Sequence, residues 1–392
     1  MKYDFTTILD RAGRDSLAAD AVPFDVQPDP GVRKIPMWVA DMSFPAAPPI
    51  IEAIEKRLEM PNFGYFSLPD SYFDSIISWQ QRRNGVTKLS REHIGYENGV
   101  LGGVSSAVQA LTAPGEKILV HSPTYVGFTH TMADNGRVLV HSPLVRDENG
   151  VWRMDYADMD AKLKRHRIHL AILCSPHNPC GRAWSEEELT AVVALCRRYG
   201  APIVCDEIHA DFVYAPNTHH SILTIPGARE IAVMLCAASK TFNVAGLEQS
   251  AIVCCNEAVR KAIAEDMAAS GVKAGNAFAL AATRAAYTGC DAWLDGLMDY
   301  LAGSRDMVAA FVAERMPRVR LTPLEATYLM WLDCSALGFT QDELLARIRA
   351  AHVKVNDGLF FGEQGRGFIR LNIGCPRSQI REALTRLATV LG

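Results

Sequence analysis

The chain has 392 residues, of which 49% are hydrophobic and 21% charged, and its formal net charge at pH 7 is −4. This length and composition are ordinary for a globular protein with a sizeable core, and the small net charge gives no reason to expect nucleic acid or an anionic membrane as a partner. No apolar stretch approaches the length of a membrane span, and the N-terminal residues lack the apolar region of a secretory signal.

The chain changes character along its length. About the first fifty residues are rich in proline, aspartate and loop-forming positions. Further along, short apolar runs alternate with amphipathic helical patterns. The helical pattern is clearest between the capping box of Ser185 and Glu188 and the glycine at position 200. Because the runs are apolar throughout, they are typical of strands covered on both faces. The predicted strands are Lys117–His121, His169–Cys174, Pro202–Cys205, Ile231–Cys236 and Ala251–Cys255.

The last hundred residues begin with a long helical pattern from about Asp291 to Glu314. Shorter strands, Thr327–Leu332 and Gly367–Asn372, follow, and an amphipathic helix starts near Ser378. We therefore predict an α/β fold with a mostly parallel central sheet. Residues 49–288 are predicted to form a large α/β domain, and residues 1–48 and 289–392 together a smaller α+β domain.

Chemically distinctive side chains follow four of the predicted strands. They are the aromatic ring of Tyr125, the amide of Asn178, the carboxylate of Asp206 and the amine of Lys240. Ligands of open α/β sheets bind beyond the carboxyl ends of the strands. These four groups are therefore predicted to meet at one edge of the sheet.

A cofactor that carries an aldehyde would use all of these groups. Lys240 can form an imine, Asp206 can hold a pyridine nitrogen protonated, and Asn178 can donate to a phenolic oxygen. Tyr125 can stack on the ring. A phosphate needs backbone N–H groups at the start of a helix, and residues Asn98–Gly103 precede a helical pattern that fits this requirement.

The chain resembles the fold-type I pyridoxal-phosphate (PLP) enzymes of the aminotransferase class I/II superfamily. Within that superfamily it resembles the cystathionine β-lyase group often called MalY/PatB. The resemblance covers essentially the whole chain, in the order of the family's motifs. The segments that carry it are Met37–Phe44, Phe63–Tyr65, Ser175–Gly181, Asp206–Asp211 and Ser239–Leu247.

The resemblance implies roles for the residues at the sheet edge. Lys240 is expected to form the Schiff base and to shuttle protons, and Asp206 to pair with the pyridinium. Asn178 is expected to bond the phenolic oxygen and Tyr125 to stack on the ring. Tyr125 and Asn178 are also expected to border the substrate.

The resemblance also implies residues for the phosphate, the substrate and a second subunit. Val100, Leu101 and Ser239 are expected to hold the PLP phosphate. Tyr65 is expected to reach the phosphate of the neighbouring subunit's cofactor, which implies a homodimer. Arg370 is expected to bind the substrate α-carboxylate, for which the planar guanidinium suits better than an ammonium.

Two positions depart from the wider aminotransferase pattern. Glu248 stands where many members carry a phosphate-binding arginine, so the charge partner of the phosphate is unassigned. His209 stands where many carry a tyrosine. We count His209 among the cofactor-binding residues, although a hydrogen-bonded core histidine is an open alternative. Both departures resemble the lyase group.

The leading functional hypothesis is β-elimination on L-cystathionine or a related cysteine S-conjugate, with a thiol, pyruvate and ammonia as products. One alternative is a class I/II aminotransferase, in which Lys240 returns the proton to the cofactor. A second alternative is a regulatory binding protein that uses the PLP fold as an interaction surface.

The ten cysteines are scattered and form no C-x-x-C pair. Such a pattern is typical of reduced, buried thiols and predicts a cytoplasmic protein. Cys174 and Cys180 flank the Asn178 motif, but further ligands at zinc spacing do not accompany them, so no metal site is expected.

Overall fold

The computed structural model describes residues 3–21, 32–271 and 275–392, and the loop-rich prediction for the first fifty residues falls in part on residues 22–31, outside that range. In the described residues the α-helices are α1 (Leu17–Asp20), α2 (Pro48–Leu58), α3 (Asp70–Asn84), α4 (Gly99–Leu111), α5 (Val126–Asp134), α6 (Tyr156–His166), α7 (Glu186–Tyr199), α8 (Ala238–Thr241), α9 (Glu257–Ala269), α10 (Ala277–Gly289), α11 (Asp291–Arg315), α12 (Gln341–Ala350) and α13 (Arg377–Leu391). The strands are β1 (Ile35–Pro36), β2 (Ile94–Glu97), β3 (Lys117–Ser122), β4 (Val138–Pro143), β5 (Val145–Arg146), β6 (Trp152–Arg153), β7 (Leu170–Cys174), β8 (Ile203–Asp206), β9 (Ala232–Cys236), β10 (Ser250–Cys254), β11 (Arg320–Leu321), β12 (Leu329–Asp333), β13 (Val353–Lys354), β14 (Asn356–Asp357) and β15 (Phe368–Asn372).

A seven-stranded sheet forms the centre of the molecule, in the order β2-β10-β9-β8-β7-β3-β4. Strands β4, β3, β7, β8 and β9 are parallel, whereas β10 is antiparallel to both of its neighbours. The five predicted strands are five members of this sheet, with bounds that differ by one residue at one or both ends. The predicted α/β fold with a mostly parallel sheet is confirmed.

Both faces of the central sheet are buried, which explains why its strands are apolar throughout. In β8, Ile203 and Cys205 belong to one hydrophobic cluster, and Val204 between them belongs to a second cluster. Successive side chains of a strand point to opposite faces, so a strand covered on both sides needs apolar residues at every position. Helices α4, α5 and α9 supply residues to the second cluster.

Helix α7 connects β7 to β8 and begins and ends where its sequence indicates. The Ser185 hydroxyl accepts from the N–H of Glu188, and the Glu188 carboxylate accepts from the N–H of Ser185. Gly200 ends the helix in a left-handed conformation, with φ of 66°. These reciprocal bonds satisfy N–H groups that would otherwise be unpaired, so the helix boundaries follow from local sequence.

A second sheet, antiparallel and in the order β11-β12-β15-β14, is built from the last quarter of the chain. In it, Arg370 of β15 lies opposite Trp331 on one side and Asn356 on the other. Near the N-terminus, β1 pairs in parallel with β13, so the two ends of the chain meet. The division into domains at residues 48 and 288 stays a prediction. Among the described helices, none is long and apolar enough to cross a membrane.

Candidate active site

A cavity of about 220 Å³ opens at the carboxyl edge of the central sheet. Its position agrees with the rule that ligands of such sheets bind beyond the strand ends. Eight of the ten predicted site residues line this cavity. They are Val100, Leu101, Tyr125, Asn178, Asp206, His209, Ser239 and Lys240.

Lys240 lies on the short helix α8 that follows β9, and its Nζ donates a hydrogen bond to the carbonyl of Ala40 at 2.8 Å. Burial lowers the pKa of this amine, and the nearby Asp41 opposes that effect. The next residue is anchored, because the hydroxyl of Thr241 donates to Oδ2 of Asp211 at 2.7 Å. A buried amine of lowered pKa can act as a nucleophile and as a base.

Asp206 is the last residue of β8 and is buried, with an exposed fraction of 4%. It lies in register between Cys174 of β7 and Leu235 of β9. Its Oδ1 accepts from the N–H of Ile208 at 2.9 Å. Burial raises the pKa of this carboxyl group to about 7, although the Lys240 amine lowers it. A carboxylate in this position is suited to a cationic partner inside the cavity.

Tyr125 precedes helix α5, and its ring packs edge-on against Phe128 with centroids 5.4 Å apart. A side chain at Gly127 would place its Cβ 2.4 Å from a carbon of the Tyr125 ring. Glycine at that position therefore lets the ring lie against the helix and face the cavity. The ring offers a flat surface on which an aromatic ligand can stack.

Arg370 is the predicted substrate residue, and it lies directly behind Asn178. Its Nη1 donates to Oδ1 of Asn178 at 2.8 Å, and its Nη2 donates to the Trp38 carbonyl at 2.8 Å and to Oδ1 of Asn356 at 2.7 Å. Its Nε is buried without a hydrogen-bond partner. Because Asn178 uses its oxygen for Arg370, its N–H groups remain available to the cavity.

The Arg370 guanidinium is buried among neutral groups. Its exposed fraction is 4%, and it forms no ion pair with any acidic residue in the described ranges. Burial lowers its pKa to about 10, while the nearby Tyr125 and Tyr328 raise it. A buried cation without a counter-charge is costly, so this geometry favours an anionic ligand at Arg370.

The segment Trp38–Met42, which we call the carbonyl segment, contributes Ala40 to the lining of the cavity. Its backbone carbonyls accept hydrogen bonds from side chains far away in sequence. The Ala40 carbonyl accepts from the Tyr328 hydroxyl at 2.9 Å as well as from Lys240. The Asn372 amide donates to the carbonyls on both sides of Ala40, and the Asn243 amide donates to that of Met42.

Sequence reasoning did not find this set of supporting residues. Asn243 and the carbonyl segment stood in motifs that carried the family resemblance, but no role was attached to them. Asn356, Asn372 and Tyr328 were also missed. Among these residues, Asn372 could have been suspected of a supporting role, because it is a polar residue at the end of an apolar strand.

The other end of the cavity is formed by the start of helix α4, whose first turn includes Val100 and Leu101. The hydroxyl of Ser239 lies there and donates to the Gln249 carbonyl at 3.3 Å. Glu248 also lines this end. The start of a helix offers N–H groups to an anion, whereas the Glu248 carboxylate repels one.

His209 lines the cavity but also belongs to the core. Its Nδ1 is buried without a partner, and its ring packs against Phe212 and Tyr328 at centroid distances of 6.1 and 5.9 Å. Burial lowers its pKa to about 3, so the ring is neutral at physiological pH. His209 therefore contributes both to the cavity lining and to the packing beneath it.

Tyr65 does not line the cavity of its own chain. It lies in the segment after α2 and is fully exposed. Phe63 and Met60 in the same segment are about two-thirds exposed. The guanidinium of Arg57 supports the segment by donating to the carbonyls of Met60 and Asn62.

Comparison with known proteins agrees with this arrangement. The sequence model of the family described as aminotransferase class I and II matches residues 35–387. Cystathionine beta-lyase PatB of Bacillus subtilis is 37% identical over 91% of this chain and 92% of its own length, and Protein MalY of Escherichia coli is 30% identical over 99% of both. The crystal structure of a PLP-bound C-S lyase from Staphylococcus hominis, complexed with L-cycloserine, superposes with a TM-score of 0.92 at 28% identity and covers 100% of this chain and 98% of that one.

Proposed function

The chain belongs to the aminotransferase class I and II family, and we propose that within it the protein is a PLP-dependent carbon–sulfur β-lyase. The family match spans most of the chain, and several of the similar proteins are named cystathionine β-lyase or C-S lyase. The substrate is L-cystathionine or a related cysteine S-conjugate. The products are a thiol, pyruvate and ammonia.

The single observation that supports an amino-acid substrate is the buried Arg370, which has no ion-pair partner among the described residues. Its guanidinium has three neutral oxygen partners, from Asn178, Trp38 and Asn356, and an unpartnered Nε. The α-carboxylate of an amino acid supplies the missing negative charge. The bond to Asn178 ties this carboxylate site to the cavity where the cofactor chemistry takes place.

The residues at the sheet edge fit PLP by the chemistry of their donor set. Lys240 offers the amine for the aldehyde, the buried carboxylate of Asp206 suits the ring nitrogen, and the Asn178 amide has N–H groups for the phenolic oxygen. Tyr125 offers a stacking face, and the first turn of α4 offers N–H groups to the phosphate. When bound, PLP supplies an electron-withdrawing ring that stabilises negative charge at the substrate Cα.

The protein's own groups then carry out β-elimination. Arg370 holds the carboxylate and so orients the Cα–H bond. The Lys240 amine removes the Cα proton, the electron pair forms the Cα–Cβ double bond, and the Cβ–S bond breaks. The thiolate takes a proton from the Lys240 ammonium and leaves as a thiol. Hydrolysis of the remaining 2-aminoacrylate gives pyruvate and ammonia.

Incubation of the purified holoenzyme with L-cystathionine tests this function. We expect thiol and pyruvate to appear in equal amounts and continuously. An aminotransferase uses the same residues but forms neither product from this substrate. Formation of stoichiometric pyridoxamine phosphate from an amino acid, with no thiol and no pyruvate, would overturn the lyase proposal.

We further propose that the protein is a homodimer in which Tyr65 reaches the cofactor phosphate of the neighbouring subunit. The support is the segment around Tyr65, which exposes several apolar side chains and is nevertheless held in shape by Arg57. Exposed apolar groups of this kind mark interaction sites. A symmetric dimer would bury each copy of the segment against the other subunit.

Sedimentation equilibrium should give twice the mass of one chain. The variant Tyr65→Phe should remain dimeric but bind PLP more weakly, because it loses a hydroxyl donor to the phosphate. A monomer in solution would contradict the dimer, and unchanged PLP affinity in the variant would contradict the role of Tyr65.

We also propose a cytoplasmic location. All ten cysteines are unpaired thiols in the structure, and nine of them are buried. Such thiols are typical of a reducing compartment. Thiol titration of protein isolated under non-reducing conditions and then unfolded should count ten free thiols per chain, and a lower number would contradict this location.

A further inference from the structure

The phosphate end of the cavity carries an acidic side chain. Glu248 lines this end beside the first residue of helix α4, Gly99. A side chain at Gly99 would place its Cβ 2.9 Å from Oε2 of Glu248, so the carboxylate lies directly against the helix start. Gly99 has a φ of 71°, which favours glycine at this position.

The backbone holds Glu248 in this place. Its φ of 48° and ψ of 54° lie in the left-handed region, which is uncommon for a residue other than glycine. Its carbonyl accepts a hydrogen bond from the hydroxyl of Tyr96 at 3.4 Å. The carboxylate therefore faces the helix start because of how the chain turns after residues Ala245–Leu247.

In the part of the chain that the structure describes, no cation lines the cavity beside this carboxylate. Among the described residues that line it, the charged groups are Lys240, Asp206 and Glu248. The Lys240 amine is bound to the Ala40 carbonyl, on the side of the carbonyl segment. The phosphate end thus combines the N–H groups of a helix start with one negative side chain.

We propose that Glu248 and the cofactor phosphate share the start of helix α4 and that the bound phosphate therefore keeps its second proton to a higher pH than the phosphate of free PLP does. This inference rests on the proposed function, which places the phosphate at Val100, Leu101 and Ser239. A phosphate monoester loses its second proton at a pKa of about 6, and a neighbouring negative charge raises that pKa. Binding therefore takes up a proton from solvent, and PLP affinity falls as the pH rises.

The Glu248 carboxylate consequently lowers the affinity of the protein for PLP at neutral and alkaline pH. Removing its charge should tighten PLP binding roughly fivefold at pH 8, the effect of one unit charge about 4 Å away in a water-like medium. The gain should be smaller at pH 5.5, where the bound phosphate carries its second proton and so less negative charge. The gain should also be smaller for pyridoxal, which has no phosphate and can respond only through the weak effect of Glu248 on the Lys240 amine.

The experiment compares the full-length wild type, Glu248→Gln and the matched control Glu257→Gln, which removes an exposed carboxylate in the first turn of α9. Dissociation constants for PLP and for pyridoxal are measured between pH 5.5 and 8.5 from the visible absorbance of the bound cofactor. Phosphorus NMR of each holoenzyme follows the ionisation of the bound phosphate. We expect the phosphate to lose its second proton at a higher pH in the wild type than in free PLP. In Glu248→Gln it should lose this proton at a lower pH than in the wild type.

Each outcome bears on a different claim. Equal or weaker PLP binding by Glu248→Gln, or the same gain for pyridoxal, would overturn the role of Glu248 and leave the proposed function intact. If Glu248→Gln does not fold, the phosphorus titration of the wild type decides, and a transition at or below that of free PLP would overturn the inference. Failure of the wild type to bind PLP at all would overturn the proposed function, and the inference with it.

Discussion

The two sides of the active site are built in different ways. The first, which we call the sheet-edge wall, lines the cavity and consists of Tyr125, Asn178, Asp206 and Lys240 at the ends of neighbouring parallel strands. The second, which we call the carboxylate wall, consists of Arg370, Asn356, Tyr328 and the carbonyl segment Trp38–Met42. In it, Ala40 lines the cavity and Arg370 lies behind Asn178. The sheet-edge wall comes from one continuous α/β region, whereas the carboxylate wall joins both ends of the chain.

The walls also differ in their electrostatics. In the sheet-edge wall, burial shifts the pKa of the Asp206 carboxyl group upward and that of the Lys240 amine downward, so both groups can exchange protons closer to neutral pH. In the carboxylate wall, one buried cation is surrounded by neutral oxygens. This difference indicates that the sheet-edge wall is suited to proton transfer and the carboxylate wall to binding and orienting the substrate. Substitutions in the two walls should therefore affect different kinetic parameters.

The largest expected effect is that of Lys240→Ala in the sheet-edge wall. Loss of the amine removes both the imine partner and the base, so kcat for β-elimination should fall by roughly a thousandfold or more. Pyruvate formation from L-cystathionine measures this loss. Borohydride reduction of the wild type should fix the cofactor on the peptide that contains Lys240, and the variant should not be labelled.

The matched control is Lys162→Ala on helix α6, which removes a lysine that forms an ion pair with Asp158. Its kcat should equal that of the wild type. If Lys240→Ala kept more than a tenth of the wild-type kcat, the assignment of proton transfer to the sheet-edge wall would be wrong.

The next effect is that of Arg370→Lys in the carboxylate wall. An ammonium cannot reproduce the planar fork that contacts Asn178, Trp38 and Asn356, so substrate binding should weaken by about 2 kcal/mol, roughly thirtyfold in KM. The absorbance of bound PLP should not change. Steady-state kinetics and the visible spectrum of the same sample separate the two effects.

Arg366→Lys is the matched control, because Arg366 lies in the turn before β15 and is exposed. We expect wild-type kinetics from it. A fall in kcat for Arg370→Lys at unchanged KM would mean that the carboxylate wall takes part in proton transfer, contrary to the comparison.

A smaller effect concerns the stability of the cofactor-free protein. The pKa of Asp206 is raised from its ordinary 3.8 to about 7 by burial, so between these values the unfolded chain loses a proton that the folded chain keeps. The contribution of Asp206 to the free energy of unfolding therefore falls as the pH rises from about 4 to about 7 and is constant above. The buried His121, His177 and His209 have lowered pKa values and act in the opposite direction. The difference between the wild type and Asp206→Asn is therefore the quantity that isolates this contribution. Asp206→Asn removes this dependence and should be more stable than the wild type at pH 8, by on the order of 2 kcal/mol.

Urea unfolding of both cofactor-free proteins at several pH values measures the difference in free energy of unfolding. Asp134→Asn, which replaces an exposed aspartate on α5, serves as the control. Its free energy of unfolding should differ from that of the wild type by the same amount at every pH. A difference between Asp206→Asn and the wild type that stays constant from pH 4 to pH 8 would contradict the raised pKa.

The smallest expected effect is that of Tyr328→Phe. The variant loses one hydrogen bond to the Ala40 carbonyl, which also accepts from Lys240, so kcat/KM should fall by a few-fold, the equivalent of about 1 kcal/mol. Tyr156→Phe is the control, since the Tyr156 hydroxyl also donates to a backbone carbonyl, that of Glu188, away from the cavity. Equal kcat/KM in Tyr328→Phe and Tyr156→Phe would show that the Ala40 carbonyl needs no such support.

Most of the sheet-edge wall could be predicted from local sequence. Strands covered on both faces are apolar at every position, so their ends could be located to within one residue, and the chemically distinctive residues that follow them could be picked out. The capping box of Ser185 and Glu188 likewise defined helix α7. The family resemblance then attached roles to these residues.

The carboxylate wall was decided by tertiary structure. Arg370 was predicted from the resemblance, but its bond to the Trp38 carbonyl joins residues 332 positions apart, and the bond from Lys240 to the Ala40 carbonyl joins residues 200 positions apart. Every residue has a backbone carbonyl, so no sequence pattern indicates which one will accept such a bond. The sequence also placed Glu248 at an unusual position, yet only the fold brings its carboxylate against Gly99 at the start of α4. Local sequence determined the elements and the reactive groups at their ends, whereas the packing of both chain ends over the central sheet determined how those groups are held.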